Sequence, residues 1–419
     1  MPRQNFSRAF TFVLLTIALI VLVTSAKAGA QETVLYNFDG GTDGCEPDSN
    51  LIFDAAGNLY GTFPCGGAYT DGAVFELSPQ AGGGWKDTVL HSFNSKGGDG
   101  YFPLAGLIFD GAGNLYGTTE RGGAHMSGIV FELTPALGGG WDEKILHSFG
   151  GGTDGSQPNC TLIMDTAGNL YGTTSLGGTH NEGMAFELTP TGSGGWTEKM
   201  LHNFGSSNTD GTQPWAGMIF DAAGNLYGTT FIGGAYRGGT VFELTPHADG
   251  GWSERVLHNF GKADSNGVIV DEAFAGVIFD AAGNLYGTTY DGGVYGGGVV
   301  YELTPGGDGG WKTAILQSLD RRDGSNPFGG LVLDTAGNLY GTTTYGGHEG
   351  ICGASGCGTV FELSPSAGGA WSLTVLETFD YTDGGHPTGS LILDSSGNLY
   401  GTTSAGGSGV FGTVFEIVR

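Results

Sequence analysis

Asp110-Gly111-Ala112-Gly113-Asn114-Leu115-Tyr116-Gly117-Thr118 decides the fold, because the chain writes this phrase seven times. Asp-x-x-Gly-Asn-Leu-Tyr-Gly-Thr starts again at Asp54, Asp165, Asp221, Asp280, Asp334 and Asp394, at intervals of 56, 55, 56, 59, 54 and 60 residues. A period of this length marks one supersecondary unit per repeat, which buries its apolar faces only against its neighbours. Outward from the phrase, the second unit carries four strand signals, at residues 106–109, 114–119, 129–133 and 141–149. Apolar and polar residues alternate in them, as half-buried strands require. The first joint is the Asp-x-x-Gly-Asn turn, where Gly supplies positive φ and Asp accepts backbone hydrogen bonds. No segment shows a capped helical period.

Four antiparallel strands repeated seven times predict an all-β fold, a seven-bladed β-propeller. Residues 32–38 match the fourth strand of the other units, and the last unit stops after its third strand at 412–418. The expected pairing of 33–38 with 412–418 completes the last blade and closes the ring. An open solenoid would want distinct capping repeats instead.

Residues 1–30 read as a signal peptide, leaving 31–419 as the propeller. Arg3 and Arg8 precede an apolar run from 9 to 23, and Ala26-Lys27-Ala28-Gly29-Ala30 offers small-residue cleavage sites. The run is short for a membrane span, and no other stretch approaches spanning length. The expected location is therefore secreted or periplasmic. The whole chain carries a formal charge of −27. Removing Arg3, Arg8 and Lys27, with no acids, leaves 12 basic and 42 acidic residues, or −30. Such a surface repels phosphate backbones, which excludes nucleic acid as a partner. Of the five cysteines, Cys352 and Cys357 share one Gly-rich loop and Cys45 and Cys65 flank the first repeat. Both pairs are expected as disulfides, with Cys160 left over. The spacing matches no zinc pattern.

Gly-Asn-Leu-Tyr-Gly-Thr-Thr, the Gly-Gly that follows, and Gly-Thr-Val-Phe-Glu-Leu-Thr-Pro resemble the Gloeo/Verruco ("GloVer") tandem repeat of secreted bacterial proteins. The last motif is clearest at 239–246 and, with Ser for Thr, at 358–365. The resemblance covers residues 32–419 and implies an extracytoplasmic bacterial protein. It brings no catalytic residues to carry over. Relatives often have a C-terminal sorting anchor, whereas this sequence stops at Ile417-Val418-Arg419, directly after a strand. A looser similarity to NHL-type propellers rests on the Asp-x-x-Gly-Asn turn.

Most chemically tempting residues belong to the repeat. His91, His147, His202 and His258 share one place in the fourth strand, where other units have Tyr36, Gln317 and Glu377, so they read as structural. The turn aspartates, the third-strand glutamates such as Glu132, and the Asp-Gly-x-x-Pro acids such as Asp99 read likewise. Single acids per loop do not assemble the six to eight oxygens of a calcium site. No metal and no cofactor are assigned on this basis. The repeated Trp of Gly-Gly-Trp is expected to pack between blades. Gly-x-Ser-x-Gly, His-Glu-x-x-His and phosphate-loop motifs are absent.

Candidate site residues lie where the units differ. Six residues before the turn Asp stand Asp48, Leu104, Asn159, Trp215, Phe274, Phe328 and Thr388. Ten after it stand Pro64, Glu120, Ser175, Phe231, Tyr290, Thr344 and Ser404. The only enlarged loops, 262–273 and 346–357, fall in or beside the same sector. With the first strand innermost, all of these belong to the face bearing the channel mouth. Blades four to six are thus expected to present Trp215, Phe231, Phe274, Tyr290, Phe328 and Tyr345, with Tyr236 and Tyr295 close by. Asp271, Glu272, Asp291, His348 and Glu349 are the polar groups near them.

Aromatic faces beside polar groups suit sugar rings. The leading expectation is a monomeric, non-catalytic binding module for an extracellular glycan or cell-surface polymer. The competing readings are a polysaccharide lyase or hydrolase on the same face, and a structural or protein-interaction scaffold. The fold alone does not choose among them.

Overall fold

The structure, a computed structural model, describes residues 30–150, 152–263, 267–307, 309–347, 352–366 and 368–419. Seven four-stranded antiparallel sheets form the blades of a propeller, six running in chain order from the inside out and the last completed by the N-terminal strand. The second blade is Ile108–Phe109, Leu115–Thr119, Ile129–Pro135 and Trp141–Ser148. Its inner strand is two residues long, shorter than the expected 106–109, because residues 104–107 have already turned to line the axis. No helix among the described residues is long and apolar enough to cross a membrane.

The repeated phrase explains how each blade is built. Asp110 Oδ1 accepts from the backbone N–H of Ala112 and Asn114 at 2.8 and 2.9 Å. Its Oδ2 accepts from Asn114 Nδ2 and the Tyr116 hydroxyl. Four bonds hold the carboxylate charged, and they pull its pKa below the usual range despite partial burial. Gly117 clears space, because a Cβ there would lie 2.6 Å from the Phe131 ring. Phe131 accordingly fills the blade and is fully buried. Thr118 then reaches across to the next blade, donating Oγ1 to the Cys160 carbonyl at 3.2 Å. Thr62, Thr173 and Thr229 do the same to Ala105, Ala216 and Ala275 at 2.8–2.9 Å.

The apolar core straddles the blade interfaces. One cluster joins Tyr116, Leu146 and Phe149 of the second blade to Leu162, Leu170 and Phe186 of the third. Trp196 opens the third blade's outer strand and meets Tyr116 edge-on at 6.5 Å, and Trp252, Trp311 and Trp371 repeat the contact. No blade therefore has an adequate core alone, as the repeat period implies.

The ring closes as the permuted sequence requires. Gln31–Asn37 pairs antiparallel with Thr413–Val418, placing Thr33 opposite Glu416, with a bulge between Val34 and Tyr36. Phe38 N continues the ladder to Gly412 O at 3.1 Å. Residues 1–29, read as the signal peptide, lie outside the described residues.

The loop entering each blade also pairs with the loop between that blade's second and third strands. The pairing is a short ladder in blades two to five, such as Gly211–Thr212 with Ile232–Gly233. In blades one, six and seven it is a single bridge, Cys45 with Cys65, Ser325 with Tyr345 and Gly385 with Ala405. Both sets of divergent positions are thereby held on one face. Cys45–Cys65 and Cys352–Cys357 are disulfides, each with Cα atoms 5.3 Å apart. Cys160 is a buried thiol whose sulfur accepts from Thr173 N at 3.1 Å.

Candidate functional site: the channel mouth

The inner strands enclose an axial channel with a volume of about 480 Å³. Its wall has a layered order that the repeat imposes. Residues two before each turn Asp (Ile52, Ile108, Ile163, Ile219, Ile278, Val332 and Ile392) form an aliphatic girdle. At the mouth all seven residues six before the turn Asp line the wall: Asp48, Leu104, Asn159, Trp215, Phe274, Phe328 and Thr388. The mouth is two-sided. Blades four to six give it three aromatic rings, and blades seven and one give it Thr388 and Asp48.

Phe274 is the centre of the aromatic side. Phe231 stacks on it at 4.2 Å and Phe328 at 4.9 Å, both within 28° of parallel. Trp215 meets Phe274 edge-on at 6.0 Å, as does Tyr290 at 5.2 Å. The five rings chosen from the sequence are therefore one cluster, and their exposure is unequal. Phe328 is exposed at 37%, whereas Trp215, Phe231, Phe274 and Tyr290 are half-buried. Phe274 touches all four of the other rings while it lines the channel. Tyr345 joins through a hydroxyl contact with Tyr290 and an edge-on contact with His386 at 5.3 Å.

Carboxylates crowd the flank of this cluster. Asp271 and Asp291 are opposite partners in a short ladder, with Glu272 beside them. Burial, then the Asp291 charge, pushes the pKa of both Asp271 and Glu272 up. Asn326 Nδ2 donates to Asp291 Oδ1 at 3.0 Å and to Tyr290 O at 3.2 Å. Tyr295 is exposed and lines a cavity with Asn326 and Tyr345, and Tyr236 is exposed beneath the Lys262 ammonium at 5.4 Å. His348 and Glu349 lie outside the described residues.

Three features of the mouth escaped the sequence reading. Burial pushes the Asp48 carboxyl up to about 6, against the opposing hydrogen bond from Thr388. That bond, Thr388 Oγ1 to Asp48 Oδ1 at 2.7 Å, crosses from the last blade to the first. Trp215 Nε1 and Asn159 Oδ1 are buried at the mouth with no hydrogen-bond partner, so a donor and an acceptor face adjoining sectors. Finally, the residue eight before each turn Asp has positive φ, between 55 and 65°: Glu46, Phe102, Gln157, Gln213, Glu272, Asn326 and His386. All but Glu272 precede Pro, where this conformation is doubly disfavoured. Each N–H donates to a carbonyl of the preceding blade, as Gln213 N does to Glu182 O at 2.8 Å. Strain of this kind persists only where the surroundings over-determine it. The signal lay in the recurring x-Pro pair.

This mouth can hold a flat apolar face against aromatic edges while carboxyl, hydroxyl and amide groups on its other side exchange hydrogen bonds. An ancestral GH74 enzyme of known structure superposes with a TM-score of 0.58 at 12% identity, over 90% of this chain and 48% of that one. The chain thus spans about half of that enzyme's length, and the likeness is one of fold. A protein of unknown function from Dyadobacter fermentans aligns over 93% of this chain and 100% of its own, at 13% identity and a TM-score of 0.42. No curated protein matches. The Gloeobacter/Verrucomicrobia repeat matches residues 21–163, 137–271 and 255–419, and with the sevenfold motif and its closed ring this places the chain in that repeat family.

Proposed function

We propose that the protein is an exported binding module that takes a carbohydrate or another cell-surface polymer at the channel mouth. The observation that carries the reading is the ring cluster of Trp215, Phe231, Phe274, Tyr290 and Phe328. It is built solely from positions where the seven units diverge, so the repeat fold does not require it. Sugar rings offer an apolar face to such a wall and hydroxyls to Asp48, Thr388 and Asn159. Export is part of the proposal and rests on the character of residues 1–30.

Phe328 is the ring to test, because it is the exposed member, and Phe274 is the control. Phe328→Ala should weaken glycan binding roughly 5- to 100-fold, the ~1–3 kcal/mol of a stacking hot spot, with little change in melting temperature. Phe274→Ala should instead cost about 3 kcal/mol of stability or more by opening a cavity. A glycan array followed by titration reads the first, and thermal melts read the second. If Phe328→Ala lowers stability and spares binding, the site is elsewhere.

One observation favours a catalytic alternative. Asp48, held up to about 6 at the mouth, keeps a proton in the range where a general acid works. A lyase or hydrolase reading predicts turnover of a bound polysaccharide that Asp48→Asn abolishes without loss of binding.

A further inference from the structure

The blade interfaces hold a second kind of cluster, away from the channel mouth. At the first interface His91 of one outer strand meets Asp99 of the connecting loop and Glu143 of the next blade's outer strand. His91 Nε2 lies 3.4 Å from Asp99 Oδ2 and 3.8 Å from Glu143 Oε1. At the third interface His202 Nε2 lies 3.3 Å from both oxygens of Asp210, with Glu254 completing the set. In each trio the three donor atoms lie within 4.8 Å of one another.

Distances of this size suit an ion as well as an ion pair. Ligands bonded to a tetrahedral zinc ion at about 2.0–2.2 Å sit roughly 3.3–3.6 Å from each other. Hydrogen bonding accounts for the trios incompletely. Glu143 Oε1 and Glu254 Oε1 are buried atoms without a hydrogen-bond partner, as is Glu198 Oε1 at the interface between them. The surroundings fix the donors as ligand shells do. The His91 and His202 rings are wedged edge-on against Phe93 and Phe204, each at 4.8 Å. Asp99 is held by Asn94 N and Gly100 N, and Asp210 by the N–H and hydroxyl of Ser206.

The seven units supply an independent comparison, since the same three positions can be read around the ring. His, Asp and Glu occur together at three consecutive interfaces; the sixth holds Glu377, Asp383 and Glu32 at these positions and the seventh Tyr36, Asp43 and Asp87, so the nitrogen ligand is confined to one part of the ring. At the fourth, His258 remains and Thr313 replaces the Glu, and His258 Nδ1 pairs with Thr313 Oγ1 at 2.7 Å. At the fifth, Gln317 replaces the His and Leu373 the Glu, although Asp323 persists. The second interface, His147 with Asp154 and Glu198, has the residue types, but His147 Nε2 closes directly onto Asp154 at 3.1 Å. That trio does not reach the common spacing.

We infer that His91–Asp99–Glu143 and His202–Asp210–Glu254 are two binding sites for a divalent transition-metal ion of the zinc type. Each would tie the outer strand of one blade to that of the next. The imidazole decides against calcium, which takes oxygen ligands, and one nitrogen with two carboxylates suits zinc. Three protein ligands leave a fourth position for water. The inference is independent of any ligand at the channel mouth.

The test uses the protein stripped with a chelator and dialysed, with zinc chloride alone as the probe. Calorimetry and elemental analysis should find two ions per chain, and saturation should raise the melting temperature. Glu143→Gln and Glu254→Gln should each remove one ion or weaken it at least tenfold, and the double variant should lose the thermal shift. Glu198→Gln should keep both ions. Melts of the stripped variants establish that they fold. His91→Asn and His202→Asn serve as second variants if a Gln variant does not. Zinc that fails to bind stoichiometrically, binds equally to the double variant, or is matched by calcium overturns the assignment.

Discussion

Replacing Asp87 by Asn should stabilise the protein at pH 8 and leave it unchanged near pH 4. Asp87 lies in the outer strand of the first blade, at the interface where the ring closes. Its Oδ1 is buried without a hydrogen-bond partner. Burial, then the Asp43 charge, pushes its pKa up to about 7. Asp43 itself is pushed up to about 6 by burial, and accepts from the Tyr36 hydroxyl at 3.0 Å. An unfolded Asp titrates near ~3.9. Between these values the folded chain holds a proton that the unfolded chain has released, so stability falls as pH rises. The contribution is fully present below ~pH 4 and lost above ~pH 7. A shift of about three units is on the order of 4 kcal/mol for a dry carboxyl. Asp87 is only half-buried, and screening reduces this to about 1–2 kcal/mol. Asn mimics the neutral acid and removes the penalty. For a chain of this length that is a rise of roughly 2–3 °C at pH 8. Melts of both proteins from pH 4 to 9 read it directly. A gain that persists at pH 4, or a loss at pH 8, would show that the carboxylate is charged and paired, and the reasoning would fail.

Glu32→Gln should behave alike, since burial, then Asp383, Glu377 and Asp380, pushes Glu32 up to about 7, and its gain should likewise appear at pH 8 and vanish in acid. Asp221→Ala should do the reverse: it breaks four bonds, from Ala223 N, Asn225 N, Asn225 Nδ2 and the Tyr227 hydroxyl, and should cost about 2–4 kcal/mol by denaturant titration at pH 7. Because those bonds lower the Asp221 pKa, the cost should shrink as pH falls below ~4. Peptide mapping under non-reducing conditions should find Cys45–Cys65 and Cys352–Cys357, with Cys160 alkylated only after denaturation.

The architecture was legible because the repeat makes one column of residues do one job seven times. Gly117 must be Gly to admit Phe131, and Asp110 must be Asp to hold its turn. Every unit meets the same constraint, and the sequence shows it as identity. The aromatic site was legible for the opposite reason: its positions are free to vary, and they vary toward rings in one sector. What stayed hidden arises between columns. Phe274, in contact with all four other rings, and Phe328, the exposed one, occupy the same column in adjacent blades, and only their contacts separate them. Asp48 meets Thr388 from 340 residues away. The histidines of the outer strands looked structural when their column was taken alone. Their partners stand in two other columns, one of them on the next blade, and only the three together display a mixed-ligand set.

The two departures from uniformity are themselves related. The loop 262–273 departs from the repeat at the fourth interface, and its Asp271 and Glu272 stand at the flank of the aromatic cluster. The fifth interface loses its His and Glu between the blades that supply Phe274 and Phe328. Hence the blades that exchange repeat residues on their outer strands overlap those that bear the rings. A propeller tolerates this exchange because each interface is held by its own apolar cluster, so one loop can be rebuilt without disturbing the rest. It also explains why sevenfold similarity and a single site coexist. Identity around the ring maintains closure, while specificity needs only two or three neighbouring units to leave the pattern in the same direction.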